Sequence, residues 1–164
     1  MKIFRLIAAT IAVVAVEIFV ALAFILIPLL IFGGDLSTIL PSIFFYLYWV
    51  AIASGVIVIV LGIPSYLILE KKDHVSISNL AMIGFMIPIV IFIVLSAIYS
   101  VGSGFSSGQN FYGTYRDIIV NGERTLWGWI SFGEDALKFG IHGLIGAIVF
   151  GKAMFWMKKS AHAA

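Results

Sequence analysis

The sequence predicts an all-α membrane protein, a bundle of four transmembrane helices with a structured external loop between the third and fourth helices. Of its 164 residues, 62% are hydrophobic and only 11% are charged. A soluble domain has about 45–50% apolar and about 25% charged residues. The apolar residues form four stretches, each long enough for the roughly 20 residues that cross a bilayer core. We therefore expect residues 1–164 to form a single polytopic membrane domain, with the lipid bilayer as its surroundings.

The first predicted helix covers residues 4–32 and ends before Gly33 and Gly34, which break helices. Its start, with Lys2 and Arg5 before an apolar run, resembles a secretory signal. However, the run is longer than the apolar region of an ordinary signal, which has about 7–15 residues. A retained first transmembrane helix is therefore predicted.

The second predicted helix covers residues 42–69. Aromatic side chains cluster at its outer end, where amphipathic rings prefer the headgroup level of a bilayer. Near its inner end, Gly62 and Pro64 are expected to kink the helix, because proline lacks a backbone donor. A tight polar loop over residues 70–74 is predicted to follow.

The third predicted helix covers residues 77–101. Ser76 and Ser78 are alternative N-cap residues, since a serine hydroxyl accepts a hydrogen bond from a free N–H of the first turn. Pro88 lies near the middle of this span and is a further expected kink.

The fourth predicted helix covers residues 132–157, and Ser131 and Glu134 have the spacing of a capping box at its start. Small residues recur along this helix at spacings that place them on one face: Ala136, Gly140, Gly143, Ala147 and Gly151. Small residues let helices approach closely in lipid. We expect this face to pack at the centre of the bundle, while a homodimer seam and a docking groove for a partner remain alternatives.

The external loop, residues 102–131, begins with a glycine- and serine-rich stretch that predicts flexibility. Asn121 and Gly122 then favour a type I′ turn, because both central residues of that turn need a positive φ. The loop is therefore expected to contain a β-hairpin with strands over residues 115–120 and 123–127.

Cationic and aromatic side chains face each other in this predicted hairpin. The register places Arg116 opposite Trp127, which permits a cation–π contact of about 0.5–1 kcal/mol. An isolated hairpin is marginal in water. We expect Trp127 and Trp129 to anchor it on the membrane surface or on a partner.

The distribution of lysine and arginine predicts the orientation, since cytoplasmic loops carry an excess of both. One side collects Lys2, Arg5, Lys71, Lys72, Lys158 and Lys159. The other side holds Arg116, Arg124 and Lys138. This asymmetry predicts that the N and C termini are cytoplasmic.

Polar residues inside the predicted spans are the candidates for chemistry. Glu17 lies near mid-bilayer, where an acidic side chain costs about 2.5–3.5 kcal/mol on insertion scales. It is either a proton or cation site, or a neutral carboxyl group that hydrogen-bonds a neighbouring helix. At about 1.5 Å per residue, Glu17 lies roughly 17 Å and His142 roughly 22 Å above the inner border. A Glu17–His142 pair is a hypothesis, whereas Lys152 is expected to extend its amine to the inner headgroups.

Several functional classes are disfavoured. The net charge of +2 is too small to favour nucleic-acid binding. The absence of cysteine excludes disulfides and thiolate chemistry. The three histidines lack the spacing that places two metal ligands on one helix face. With no catalytic or cofactor motif present, we expect no catalytic residue, no metal, no cofactor and no enzymatic activity.

Glycine-rich apolar segments over residues 61–72 and 143–151, the second followed by Phe155 and Trp156, resemble those of small four-span bacterial membrane proteins of unassigned function. The resemblance implies a multi-pass protein of the inner membrane. We expect a non-catalytic protein that contacts a protein partner through its helices or its external loop, such as an accessory subunit or an immunity-type protein. Association with further copies of the same chain, as a homo-oligomer, is an alternative to a different protein partner. The alternative is a small transporter or proton-conducting protein that uses Glu17 and His142.

Overall fold

The structure, a computed structural model, describes residues 2–32, 36–98, 104–111 and 113–160. Within them, four helices are long and apolar enough to cross a membrane: Lys2–Ile31, Ile39–Lys71, Ile77–Ser96 and Leu126–Lys158. The predicted set of four is confirmed, and it is consistent with a membrane protein. Gly33 and Gly34, and the predicted end of the third helix at residues 99–101, lie outside the described residues.

The chain divides into two compact units. Unit 1 comprises Met1–Gly84 and Leu144–Ala164, and unit 2 comprises Phe85–Gly143. The expectation of a single membrane domain stays a prediction.

The first helix, α1, spans Lys2–Phe32 and agrees with the predicted helix to within two residues. Many of its large apolar side chains are exposed, including Phe19 and Leu30. A soluble monomer rarely exposes a continuous apolar surface of this kind. This surface therefore suits a lipid environment.

The second candidate span consists of α2 (Leu36–Ile57), a π-helical turn (Val58–Gly62) and α3 (Ile63–Lys71). The π-helical turn lies next to Gly62 and Pro64, where a kink is expected, and the kink itself stays a prediction. The Ile63 N–H donates to the Val58 carbonyl. Pro64 lies directly after this turn, in the first turn of α3, where the hydrogen-bond pattern changes from π-helical to α-helical. The helix starts earlier than predicted because it continues through Pro41.

The third candidate span is α4, Ile77–Ile98. Ser76 is its N-cap, since its hydroxyl accepts a 3.1 Å hydrogen bond from the Asn79 N–H. Of the two alternatives, Ser76 is therefore correct and Ser78 is not. Pro88 lies inside α4, and the kink expected there stays a prediction.

The last helix, α5, spans Leu126–Ser160 and begins six residues before the predicted start. Its first turn is capped by Thr125, whose hydroxyl accepts a 3.1 Å bond from the Gly128 N–H. The predicted capping box is wrong, because Ser131 and Glu134 lie in the interior of the helix. The Ser131 hydroxyl instead accepts a 2.9 Å hydrogen bond from the Gln109 side chain.

A three-stranded antiparallel sheet precedes α5, in the order β1 (Ser107–Phe111), β2 (Thr114–Val120) and β3 (Glu123–Arg124). The turn predicted at Asn121 and Gly122 is confirmed, with φ values of +52° and +87°. The strand expected over residues 123–127 is wrong beyond β3, since α5 starts at Leu126. The strand β1 was not predicted, and it includes part of the stretch expected to be flexible.

Candidate functional site

The basic end of unit 1 brings together residues from three helices. Lys2 forms a 2.5 Å ion pair with Glu70, and the Tyr66 hydroxyl donates to the same carboxylate at 3.3 Å. Lys158 is close enough to interact electrostatically with Glu70. The start of α1 and the ends of α3 and α5 therefore lie at one end of unit 1. The distribution of basic residues in the sequence likewise groups these three segments on one side.

Glu17 lies in the interior of unit 1, where only 5% of its surface is exposed. Its position follows from α1 itself, because Val13 and Ala21, one helical turn before and after it, are also buried. A methyl group added to Gly146 of α5 would lie 3.4 Å from the Glu17 carboxyl oxygen Oε1 and 3.2 Å from a Val13 methyl group. The carboxyl group therefore faces the backbone of α5.

The small residues of α5 have different environments. Ala136 and Gly140 are buried in unit 2, and a Cβ at Gly140 would come within 2.8 Å of the Phe85 ring. Gly151 is buried in unit 1, where a Cβ would lie 3.0 Å from Leu80. The other two, Gly143 and Ala147, are half-buried. Small residues thus allow close packing at both Gly140 and Gly151.

The two remaining intramembrane candidates differ in burial. His142 is half-buried, and Lys152 is exposed. Glu17 belongs to unit 1 and His142 to unit 2, so the Glu17–His142 pair stays a prediction. The exposure of Lys152 is compatible with an amine that reaches towards lipid headgroups.

In unit 2, aromatic and cationic side chains hold the sheet against the start of α5. The guanidinium of Arg116 lies 4.7 Å from the centre of the Trp127 ring, so the predicted contact is present. Trp127 reaches it from α5 rather than from a facing strand. The Phe111 ring lies 5.4 Å from the same indole. Trp129 is exposed, whereas Trp127 is half-buried. Of the two tryptophans, Trp129 is therefore the better candidate for a surface anchor.

Gly128 permits the closest approach between the sheet and α5. A Cβ at this position would collide with the carbonyl oxygen of Ile118 in β2. The Thr125 hydroxyl donates to the neighbouring Asp117 carbonyl at 2.6 Å, and the Thr125 N–H donates to Ile118 at 3.1 Å. The first turn of α5 is therefore fastened along β2.

A cavity of about 180 Å³ lies in unit 2, between α4, the sheet and α5. Its polar lining comprises Ser96, Gln109, Arg124, Ser131 and Asp135, and its aromatic wall comprises Phe92 and Phe132. The Arg124 guanidinium lies 4.4 Å from the centre of the Phe132 ring and 5.6 Å from that of Trp129. The cavity therefore combines both signs of charge with an apolar wall.

The grouping of Arg124, Gln109 and Asp135 around one cavity was not predicted, because these residues are scattered along the sequence and meet only in the folded unit. Gly128 and Gly146 were missed too, although Gly146 lies within the glycine-rich segment of α5. Within the described ranges, no three histidine, aspartate or glutamate side chains form a group that could hold a metal ion.

Comparison with known proteins finds no family, no curated protein and no solved structure that matches this chain.

Proposed function

We propose that this chain is a non-catalytic, four-span protein of a bacterial inner membrane that acts by contact with a protein partner. In this proposal, the end carrying Lys2, Lys72 and Lys158 faces the cytoplasm, and the three-stranded sheet lies on the opposite side. The apolar exposed faces of the helices support insertion, and the distribution of basic residues supports the orientation.

The observation that carries the proposal is the folded sheet of unit 2. One of its faces is held on α5 by Phe111 and Arg116, which contact Trp127. On the opposite face Tyr115 is 66% exposed. An exposed aromatic side chain on a rigid surface is the kind of group that anchors protein interfaces. The sheet therefore suits recognition of a partner better than an unstructured loop would.

Photocrosslinking in living cells tests this proposal. A photoreactive amino acid at Tyr115 should give discrete adducts with a protein, whereas the same group at Ile11, an exposed apolar position of α1, should react mainly with lipid. Adducts from Tyr115 that contain a second copy of the chain would identify a homo-oligomer. If both positions give the same pattern, the sheet is not a recognition surface.

A second candidate function, proton or cation conduction, is favoured by the burial of Glu17. An acidic side chain in the apolar interior of unit 1 is costly unless polar neighbours stabilise it. In this alternative the chain is a small transporter or proton-conducting protein that uses Glu17 and His142. Proton flux through liposomes containing the protein is the measurement that separates the two functions.

A further inference from the structure

The cavity of unit 2 lies at the border of two candidate membrane spans. Ser96 is the last residue of the third span. Arg124 lies two residues before the start of the fourth span, and Ser131 and Asp135 lie within the first ten residues of that span. If these helices cross a bilayer, as we propose above, the cavity extends from the level of the lipid headgroups along the first turns of the fourth span. Its occupant is then expected to be polar and membrane-bound.

Arg124 supplies the positive charge of this cavity. Its guanidinium is held near two aromatic rings, and no carboxylate forms an ion pair with it among the described residues. An arginine has five N–H donors in a fixed planar arrangement that matches phosphate oxygens. Contact with ring faces leaves N–H groups available for such an anion.

Asp135 supplies a negative charge in the same cavity. It forms a 2.9 Å ion pair with Lys138 through Oδ1, and a carboxylate has further acceptor sites on its second oxygen. A simple anion would be repelled by Asp135, and a simple cation by Arg124. A ligand with both charges satisfies both residues.

We propose that this cavity binds a phosphate ester that also bears a primary ammonium group, as in the headgroup of phosphatidylethanolamine. The phosphate interacts with Arg124 and the ammonium group with Asp135. The volume of about 180 Å³ equals that of roughly six water molecules in the liquid, which is space for a phosphate with a two-carbon amine. The proposal rests on the membrane insertion proposed above and not on the protein partner.

Native mass spectrometry of the full chain in detergent tests the proposal, after carbonate extraction has established that the chain is integral to the membrane. The probes are phosphatidylethanolamine, phosphatidylglycerol and free phosphoethanolamine. The wild type should retain phosphatidylethanolamine in preference to phosphatidylglycerol. Displacement by free phosphoethanolamine at comparable concentration would assign the same site to a soluble ligand, and no displacement would assign it to the lipid.

Substitution of Arg124 and of Asp135 should change lipid binding in different ways. Arg124→Gln should weaken binding of both lipids by roughly tenfold or more, since it removes a charge-assisted hydrogen bond to the shared phosphate. Asp135→Asn should abolish the preference for phosphatidylethanolamine while phosphatidylglycerol still binds. Matched controls are Arg116→Gln, which removes an arginine held over Trp127 outside the cavity, and Asp117→Asn, which removes an exposed carboxylate of β2. At melting temperatures similar to that of the wild type, both controls should bind as the wild type does.

Two outcomes would overturn the headgroup site while leaving membrane insertion intact. One is equal retention of the two lipids by the wild type. The other is identical lipid binding by Arg124→Gln and Arg116→Gln variants that have similar melting temperatures. A chain that carbonate removes from the membrane would overturn both proposals.

Discussion

Glu17 of α1 faces Gly146 of α5, and a methyl group on Gly146 would come within 3.4 Å of the carboxyl oxygen Oε1. The two helices approach closely at this point because position 146 has no side chain. Gly146 therefore matters for packing, because its lack of a side chain leaves room for the buried carboxyl group of Glu17.

Gly146→Leu should therefore destabilise unit 1, because four additional carbon atoms must displace Val13 and Glu17. Overpacking of this kind costs about 1–3 kcal/mol, and the melting temperature in detergent should fall. Gly133→Leu is the matched control on the same helix, since a Cβ there has no neighbouring atom within 4 Å. Equal melting temperatures of the two variants would mean that α1 and α5 are not closely packed at Gly146.

Gly128→Ala should loosen the sheet from α5. The added methyl group collides with the backbone oxygen of Ile118, and a backbone atom cannot rotate away as a side chain can. We expect a loss of about 1–3 kcal/mol and faster trypsin cleavage after Arg116. Gly108→Ala is the control, since the atoms nearest to its methyl group belong to the Tyr115 ring, an exposed side chain that can rotate away. Faster cleavage of the control than of Gly128→Ala would contradict this packing.

Glu17→Gln distinguishes structural stabilisation from proton conduction. Glutamine keeps the size and one carbonyl acceptor of the glutamic acid but cannot ionise. We expect the variant to accumulate in the membrane at a level similar to that of the wild type, and to retain the wild-type phenotype. Proton flux should be equal in liposomes that contain either protein. A lower flux with normal accumulation would instead support conduction through Glu17.

Single-cysteine labelling tests the orientation, and the absence of cysteine from the chain gives it a clean background. A membrane-impermeant maleimide should label Tyr115→Cys in intact cells, since β2 is proposed to lie outside. It should label Lys72→Cys only after permeabilisation. Both native side chains are exposed, so access to the reagent depends on the side of the membrane. The reverse pattern would invert the topology.

The four helices were predictable because each is an apolar run with polar borders, a property of consecutive residues. The Asn121–Gly122 turn was predictable for the same reason. The start of α5 was not predictable, because Ser131 and Glu134 have the spacing of a capping box and so indicate a later start. The structure instead places the cap at Thr125, where the helix also hydrogen-bonds β2. The strand β1 depends on pairing with β2, and its glycine and serine content conceals it.

The cavity was unpredictable from local patterns. Gln109, Arg124 and Asp135 lie on a strand, a short strand and a helix, and each is an ordinary polar residue in its own segment. Their juxtaposition depends on the sheet lying against α5, which Gly128 allows. Glu17 stood out in the sequence because an acid within an apolar span is costly, and the structure buries this side chain in unit 1.

The π-helical turn at Val58–Gly62 determines which side chains of the second span share one face. An α-helix rotates by about 100° per residue, so Val58 and Tyr66, eight positions apart, would differ by roughly 80° on a continuous α-helix. A π-helical turn accommodates one extra residue, and this reduces the angular difference to about 20° in the opposite direction. Both side chains thereby enter the same core. The face of the second span that carries Tyr66 and its hydrogen-bond partner Glu70 is therefore set by a change of helical phase that precedes both residues.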